Sequence, residues 1–84
     1  MNRAYKYNPD DYRDMLGLTD DLTEFYRLYE IYRADQTEIN LWMLKIHWQN
    51  LFFTIKHREL EGFLTSTVAS EIRMYLEDLV NDDL

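Results

Sequence analysis

Cysteine is absent from the 84 residues, so no disulfide staples this chain. That absence fits a reducing compartment. Proline occurs once and glycine twice, too few breakers for the turns of a β-sandwich or barrel. Two glycines also cannot furnish a P-loop or a G-x-G-x-x-G phosphate cradle. Positive charge is in the minority: Lys and Arg number 9 against 16 Asp and Glu, a net charge of −7. A nucleic-acid binder needs a dense basic footprint, and nucleic acid is not an expected partner. No apolar run is long enough for a membrane span, because Lys45, His47, Gln49 and Asn50 interrupt the longest one. The start MNRAYKYNPDDYRD shows no apolar stretch of signal-peptide type. Together these features lead us to expect a soluble, cytoplasmic protein with no membrane partner.

What is present is apolar and aromatic. A hydrophobic fraction of 46% and an aromatic fraction of 15% exclude general disorder. The length suits a single helical domain over 1–84, since a second core cannot be built from so few residues. A chain this size buries only about 60–65% of its unfolded surface. Small domains therefore often add a disulfide, a metal or a second subunit. With no cysteine, and no metal site in the reading below, a second subunit is the option left.

Four helical segments are expected, at about 9–16, 20–34, 38–60 and 66–80. Asn8-Pro9-Asp10-Asp11 reads as a helix start: a cap, a proline for the first position, and two acids for the positive end of the dipole. Gly17 is placed to stop that short helix, and Thr19-Asp20-Asp21 to start the next. Leu22, Phe25, Tyr26, Leu28, Tyr29 and Tyr32 then form one amphipathic stripe. Its tyrosines are expected at the border of the core, rings packed and hydroxyls wet. Asp35-Gln36-Thr37-Glu38 resembles a capping box. A chain reversal is expected there, although one continuous rod over 20–60 is also compatible with the residues. Gly62 suits a left-handed stop with Phe63 packed back on the helix end. Thr65 follows as a cap, with Leu64 and Ala69 as a hydrophobic staple. The last segment carries Val68, Ile72, Tyr75, Leu76, Leu79 and Val80 at steps of three and four.

The third segment has apolar residues on two sides. Leu41, Leu44, Trp48, Leu51 and Ile55 step by 3, 4, 3 and 4, an a/d seam. Ile39, Trp42, Met43, Ile46 and Phe53 lie roughly opposite at 100° per residue. Both faces require cover. The second and fourth segments can cover one. The short first helix with Tyr5 and Tyr7 can cover part of the other; the competing cover is a protein partner or a second copy. The face of Ile39, Trp42, Met43, Ile46 and Phe53 is the expected partner-binding surface, since exposed tryptophan and phenylalanine demand burial.

Catalytic and metal chemistry find little support. His47 and His57 stand ten residues apart on one helix, about 15 Å in rise, too far to share an ion. No Glu-x-x-His or His-x-x-x-His pair exists, so no metal and no other cofactor is expected. Asp20 and Asp21 sit at a helix start and are explained by capping and dipole effects. The only serines are Ser66 and Ser70, outside any nucleophile motif. The chain is therefore not expected to be an enzyme. A helix-turn-helix reader would need a basic recognition helix, and the last segment offers Arg73 among acids. A DNA-binding transcriptional regulator is accordingly the least supported of the readings considered.

The charge is uneven. Residues 1–35 are net −3, residues 36–58 net +2 and residues 59–84 net −6. In size and charge the chain resembles small helical proteins that bind and block a larger target, such as bacteriocin-immunity or phage-encoded inhibitor proteins. The likeness covers no motif and assigns no residue. The uneven charge itself carries an alternative expectation: an acidic small inhibitor that blocks a basic groove of a larger protein as a nucleic-acid mimic does, with Asp10, Asp11, Asp14, Asp78, Asp82 and Asp83 as candidate acidic contacts. The expectation that best accounts for the residues is an all-α fold: a small bundle of three longer helices plus a short N-terminal one. It acts as a protein-interaction module, assembled as a homodimer or bound to another protein.

Overall fold

Local capping chemistry places most of the element boundaries. In the computed structural model, which describes residues 5–13, 15 and 17–82, Asn8 accepts a hydrogen bond from the Asp10 amide at 3.0 Å and opens a single 3-10 turn, Pro9–Tyr12. Of the helix expected over 9–16, the described residues form only this turn. A segment so short gains too few hydrogen bonds to repay α-helix nucleation. Three α-helices follow: α1, Leu18–Ala34; α2, Glu38–Leu60; and α3, Ser66–Asp82. No strand occurs among the described residues.

Gly17 does more than end the first turn. It takes φ +79° and is itself the N-cap of α1, which starts at Leu18 and not at the expected Asp20. Leu18 is fully buried, so packing draws the helix start forward. Thr19, expected as a cap, instead donates its hydroxyl to the Pro9 carbonyl at 2.9 Å and ties the 3-10 turn to α1.

The chain reverses at residues 35–37, and α1 and α2 are separate helices. Thr37 is the cap, and not Asp35: its hydroxyl accepts from the Asn40 amide at 3.2 Å. The Asn40 side chain returns a bond to the Asp35 carbonyl at 2.8 Å. At the other end of α2, Gly62 takes φ +87°. Its amide reaches the Glu59 carbonyl at 3.0 Å and the Phe63 amide reaches the Arg58 carbonyl at 2.9 Å, the two bonds of a Schellman stop. Phe63 does not pack back as expected; it is exposed, and Leu64 is buried in its place. Thr65 caps α3 through the Val68 amide at 3.1 Å, and the expected staple residues Leu64 and Ala69 are both buried.

The core draws unequally on the helices. α1 buries seven of its 17 residues: Leu18, Leu22, Phe25, Tyr26, Leu28, Tyr29 and Tyr32. α3 contributes Ala69, Ile72, Leu76, Leu79 and Val80. The longest helix, α2, with 23 residues, buries only Leu44, Leu51 and Ile55. Leu41 and Trp48 of the same seam pack on the core partly buried. α1 and α2 run antiparallel, and Thr54 of α2 donates to the Asp21 carboxylate in the first turn of α1. Asp21 thereby joins two helices in addition to serving the dipole of its own.

The N-terminal stretch of tyrosines goes to the side of the bundle away from the outer face of α2. Tyr5 stacks on Tyr26 with ring centroids 3.8 Å apart, and its hydroxyl donates to Glu30 at 2.6 Å. The Tyr26 hydroxyl donates to the Tyr7 carbonyl at 2.7 Å. Tyr7 meets Tyr75 edge to face at 5.3 Å, and the Lys6 amide donates to the Tyr75 hydroxyl at 3.0 Å. Residues 5–7 thus bridge α1 and α3. Two expectations are corrected by this. The hydroxyl of Tyr26 bonds to the backbone and is not left to water. Tyr5 and Tyr7 do not cover the second apolar face of α2.

Candidate functional site: the outer face of α2

Because α1 and α3 both approach α2 from the Leu44–Leu51–Ile55 side, the opposite side carries no described element. Ile39 is 68% exposed, Trp42 62% and Phe53 66%. Met43 and Ile46 are exposed to a smaller degree. The five residues singled out from the sequence therefore share one open face. Leu60, 74% exposed, extends that face by two turns and was not anticipated.

The face has a strict period. Ile39, Ile46, Phe53 and Leu60 recur every seven residues, and Trp42, Gln49 and Lys56 stand between them at steps of three and four. All seven are exposed. This is an a/d arrangement with an apolar residue at every a position and Trp, Gln and Lys at the d positions. Met43, Asn50 and His57 line one flank, and Glu38, Lys45 and Phe52 the other. A scan restricted to apolar residues misses Gln49 and Lys56; the seven-residue spacing is the signal that includes them.

Beside the seam, Lys45, Trp48, Gln49, Glu77, Val80 and Asn81 line a groove of about 250 Å³ between α2 and α3. A second hollow, lined by Trp48, Gln49, Phe52 and Phe53, adjoins the seam itself. Trp48 lines both hollows and packs on the core, and its ring is tilted against Phe52 with centroids 6.0 Å apart. The Arg73 guanidinium lies 5.0 Å over the Phe52 ring and donates to Ser70 at 3.2 Å. It is thus engaged against α2.

The acidic positions are dispersed. Asp10 and Asp11 are exposed on the 3-10 turn, and Asp10 pairs with Arg13 at 3.0 Å. Asp78 is exposed on α3 with Glu71 and Glu77. Asp14 and Asp83 lie outside the described residues, as does the side chain of Asp82. The ion pairs found, such as Arg33–Glu30 and Lys56–Glu59, join residues three apart on one helix and contribute little to the fold. Glu24 has its carboxyl held below the usual range by the hydrogen bond from Arg27.

His47 is half-buried and His57 exposed, on successive parts of α2. Among the described residues no three His, Asp or Glu side chains come together as a metal set. Tyr26 and Tyr12 have hydroxyls shifted upward, in each case chiefly by burial, which makes them poorer acids and suits structural roles. No helix among the described residues is long and apolar enough to cross a membrane. Comparison with protein-family models, with curated proteins and with solved structures finds no match to this chain.

Proposed function

We propose that this chain is a non-enzymatic protein–protein interaction module that self-associates through the outer face of α2. The observation that carries the reading is the open seam of Ile39, Trp42, Ile46, Phe53 and Leu60 on the helix that contributes least to its own core. Contiguous apolar patches of several hundred Å² on small proteins mark interaction sites, and Trp is a frequent anchor of such sites. The acidic residues of α1 and α3 lie on other surfaces and favour the solubility of the free chain.

Size-exclusion chromatography with light scattering tests this. The wild-type chain is expected at twice its 10.3 kDa mass at tens of micromolar. Ile46→Lys removes one seam side chain from each copy, about 1–2 kcal/mol apiece by apolar burial. The pair loses about 2–4 kcal/mol, a weakening of roughly 30- to 700-fold. Helical content stays unchanged, because Ile46 is exposed in the single chain. A wild type that stays monomeric at hundreds of micromolar refutes the proposal. So does an I46K variant that associates as strongly as wild type.

A further inference from the structure

We infer that the occupant of the seam is the α2 helix of a second copy, lying antiparallel to the first with Trp42 against Phe53 of the partner chain. The inference rests on the interaction reading above and adds the occupant, its direction and its register.

The occupant follows from the pattern. A seven-residue repeat over the whole length of α2 complements another long helix with the same repeat, and the chain carries one such outward helix. Ile39, Trp42, Met43, Ile46, Phe53 and the stem of Lys56 are all exposed and present on the order of 100 Å² each. Two copies would then bury about 1,200 Å², the lower end of the range for stable interfaces. A symmetric pair also closes on itself.

The direction follows from charge. Asp35 and Glu38 stand at the start of α2, Lys56 and His57 near its end, all exposed. A parallel pair would set Lys56 against Lys56 of the other copy within the seam and Glu38 beside Glu38. Glu59 and Glu61 pair with Lys56 and Arg58 at that end, so the gain lies in the like-charge contacts removed: an antiparallel pair parts Lys56 from Lys56 and Glu38 from Glu38, brings Lys56 toward Glu38 of the other copy, and opposes the two helix dipoles.

The register follows from matching a positions to d positions. One antiparallel alignment stacks Trp42 on Phe53, Ile39 on Lys56 and Ile46 on Gln49, each layer occurring twice about the two-fold axis. Lys56 then lies beside Glu38 of the other copy. Its stem covers Ile39 while its ammonium meets the carboxylate. The two Gln49 amides flank the axis within reach of each other, a polar pair of the kind that fixes alignment in helical seams. Sliding by one heptad places Lys56 beside Lys45 of the other copy, so like charges disfavour it.

Thiol cross-linking tests the arrangement, and the absence of native cysteine makes the readout clean. The variants are Ile39→Cys, Lys56→Cys and the double variant, treated with a short bis-maleimide at micromolar concentration. In the proposed register residues 39 and 56 of opposite chains adjoin, whereas each residue stands about 25 Å from its own copy, at 1.5 Å per residue. The double variant is expected to cross-link to dimer in high yield and each single variant to remain uncrosslinked, as does urea-denatured double variant. Cross-linking of either single variant overturns the antiparallel arrangement. A double variant that fails to cross-link while light scattering shows a wild-type dimer overturns the register and leaves the interaction reading standing. A wild-type chain that is monomeric throughout overturns both.

Discussion

Replacing Tyr26 by Phe isolates one hydroxyl that holds the N-terminal strap to the bundle. The ring remains, so its stack on Tyr5 and its edge contact with Phe25 survive. Lost is the 2.7 Å bond to the Tyr7 carbonyl. A neutral hydrogen bond contributes about 0.5–1.5 kcal/mol net, and the Tyr7 carbonyl sits on a half-buried residue where water can partly replace the donor. The expected cost is therefore about 1 kcal/mol, out of a total of ~4–13 kcal/mol for a chain of this length. In urea this lowers the midpoint by roughly 0.5–1 M, and on heating lowers Tm by about 4–8 °C. Hydrogen exchange should accelerate at residues 5–7 before it does in α1. A second signature comes from pH. Burial raises the Tyr26 pKa above its unfolded value of about 10. Above that pH the unfolded chain releases a proton that the folded chain retains, so folding stability falls as pH rises. Tyr26→Phe abolishes that contribution, and the stability gap between wild type and variant should stay constant up to about pH 10 and narrow as pH rises above it. Tyr12 also has a raised pKa but is present in both proteins and cancels. An unchanged urea midpoint, or a gap that stays constant above about pH 10, refutes the assignment.

Two further substitutions probe the junctions that orient α2. Gly62→Ala meets no atom within 4 Å of its new Cβ, yet keeps φ near +87°, so strain alone should cost about 1–2 kcal/mol in chemical denaturation; a neutral result would mean the stop does not need a left-handed residue. Thr54→Val keeps the shape and removes the donor to Asp21 that joins α2 to α1. Loss of a hydrogen bond to a charged group predicts about 1.5–3 kcal/mol, reduced toward 1 by the partial solvent access of both residues, and a melting curve matching wild type would dismiss that bond as a stabilising contact.

Much of the architecture is legible in the amino-acid sequence because helix boundaries are local. Asn8, Thr37, Gly62 and Thr65 act on amides and carbonyls within a few residues of themselves. The buried stripe of α1 likewise follows from residue spacing, since a helix with one apolar face has one way to bury it. The junction between the 3-10 turn and α1 escapes local rules in two ways. Leu18 is drawn into the core and moves the start of α1, and Thr19 bonds across to Pro9. Both depend on neighbours distant enough that no local rule includes them.

The candidate site divides in the same way. Sequence alone determined that α2 has two apolar faces and that residues 39, 42, 43, 46 and 53 share one of them, because helical periodicity assigns residues to faces. It could not say which face the chain itself covers, because both are apolar and either could pack. Tertiary structure decided this by packing α1 and α3 on one face, while the tyrosines hold the N-terminal strap away from the other. The Tyr5–Tyr26 stack and the Tyr26–Tyr7 hydrogen bond carry the N-terminal strap onto α1 and α3. With α1 and α3 both on the Leu44–Leu51–Ile55 side, none of the described residues reaches the far side of α2, and its seven-residue repeat of Ile39, Ile46, Phe53 and Leu60 remains open.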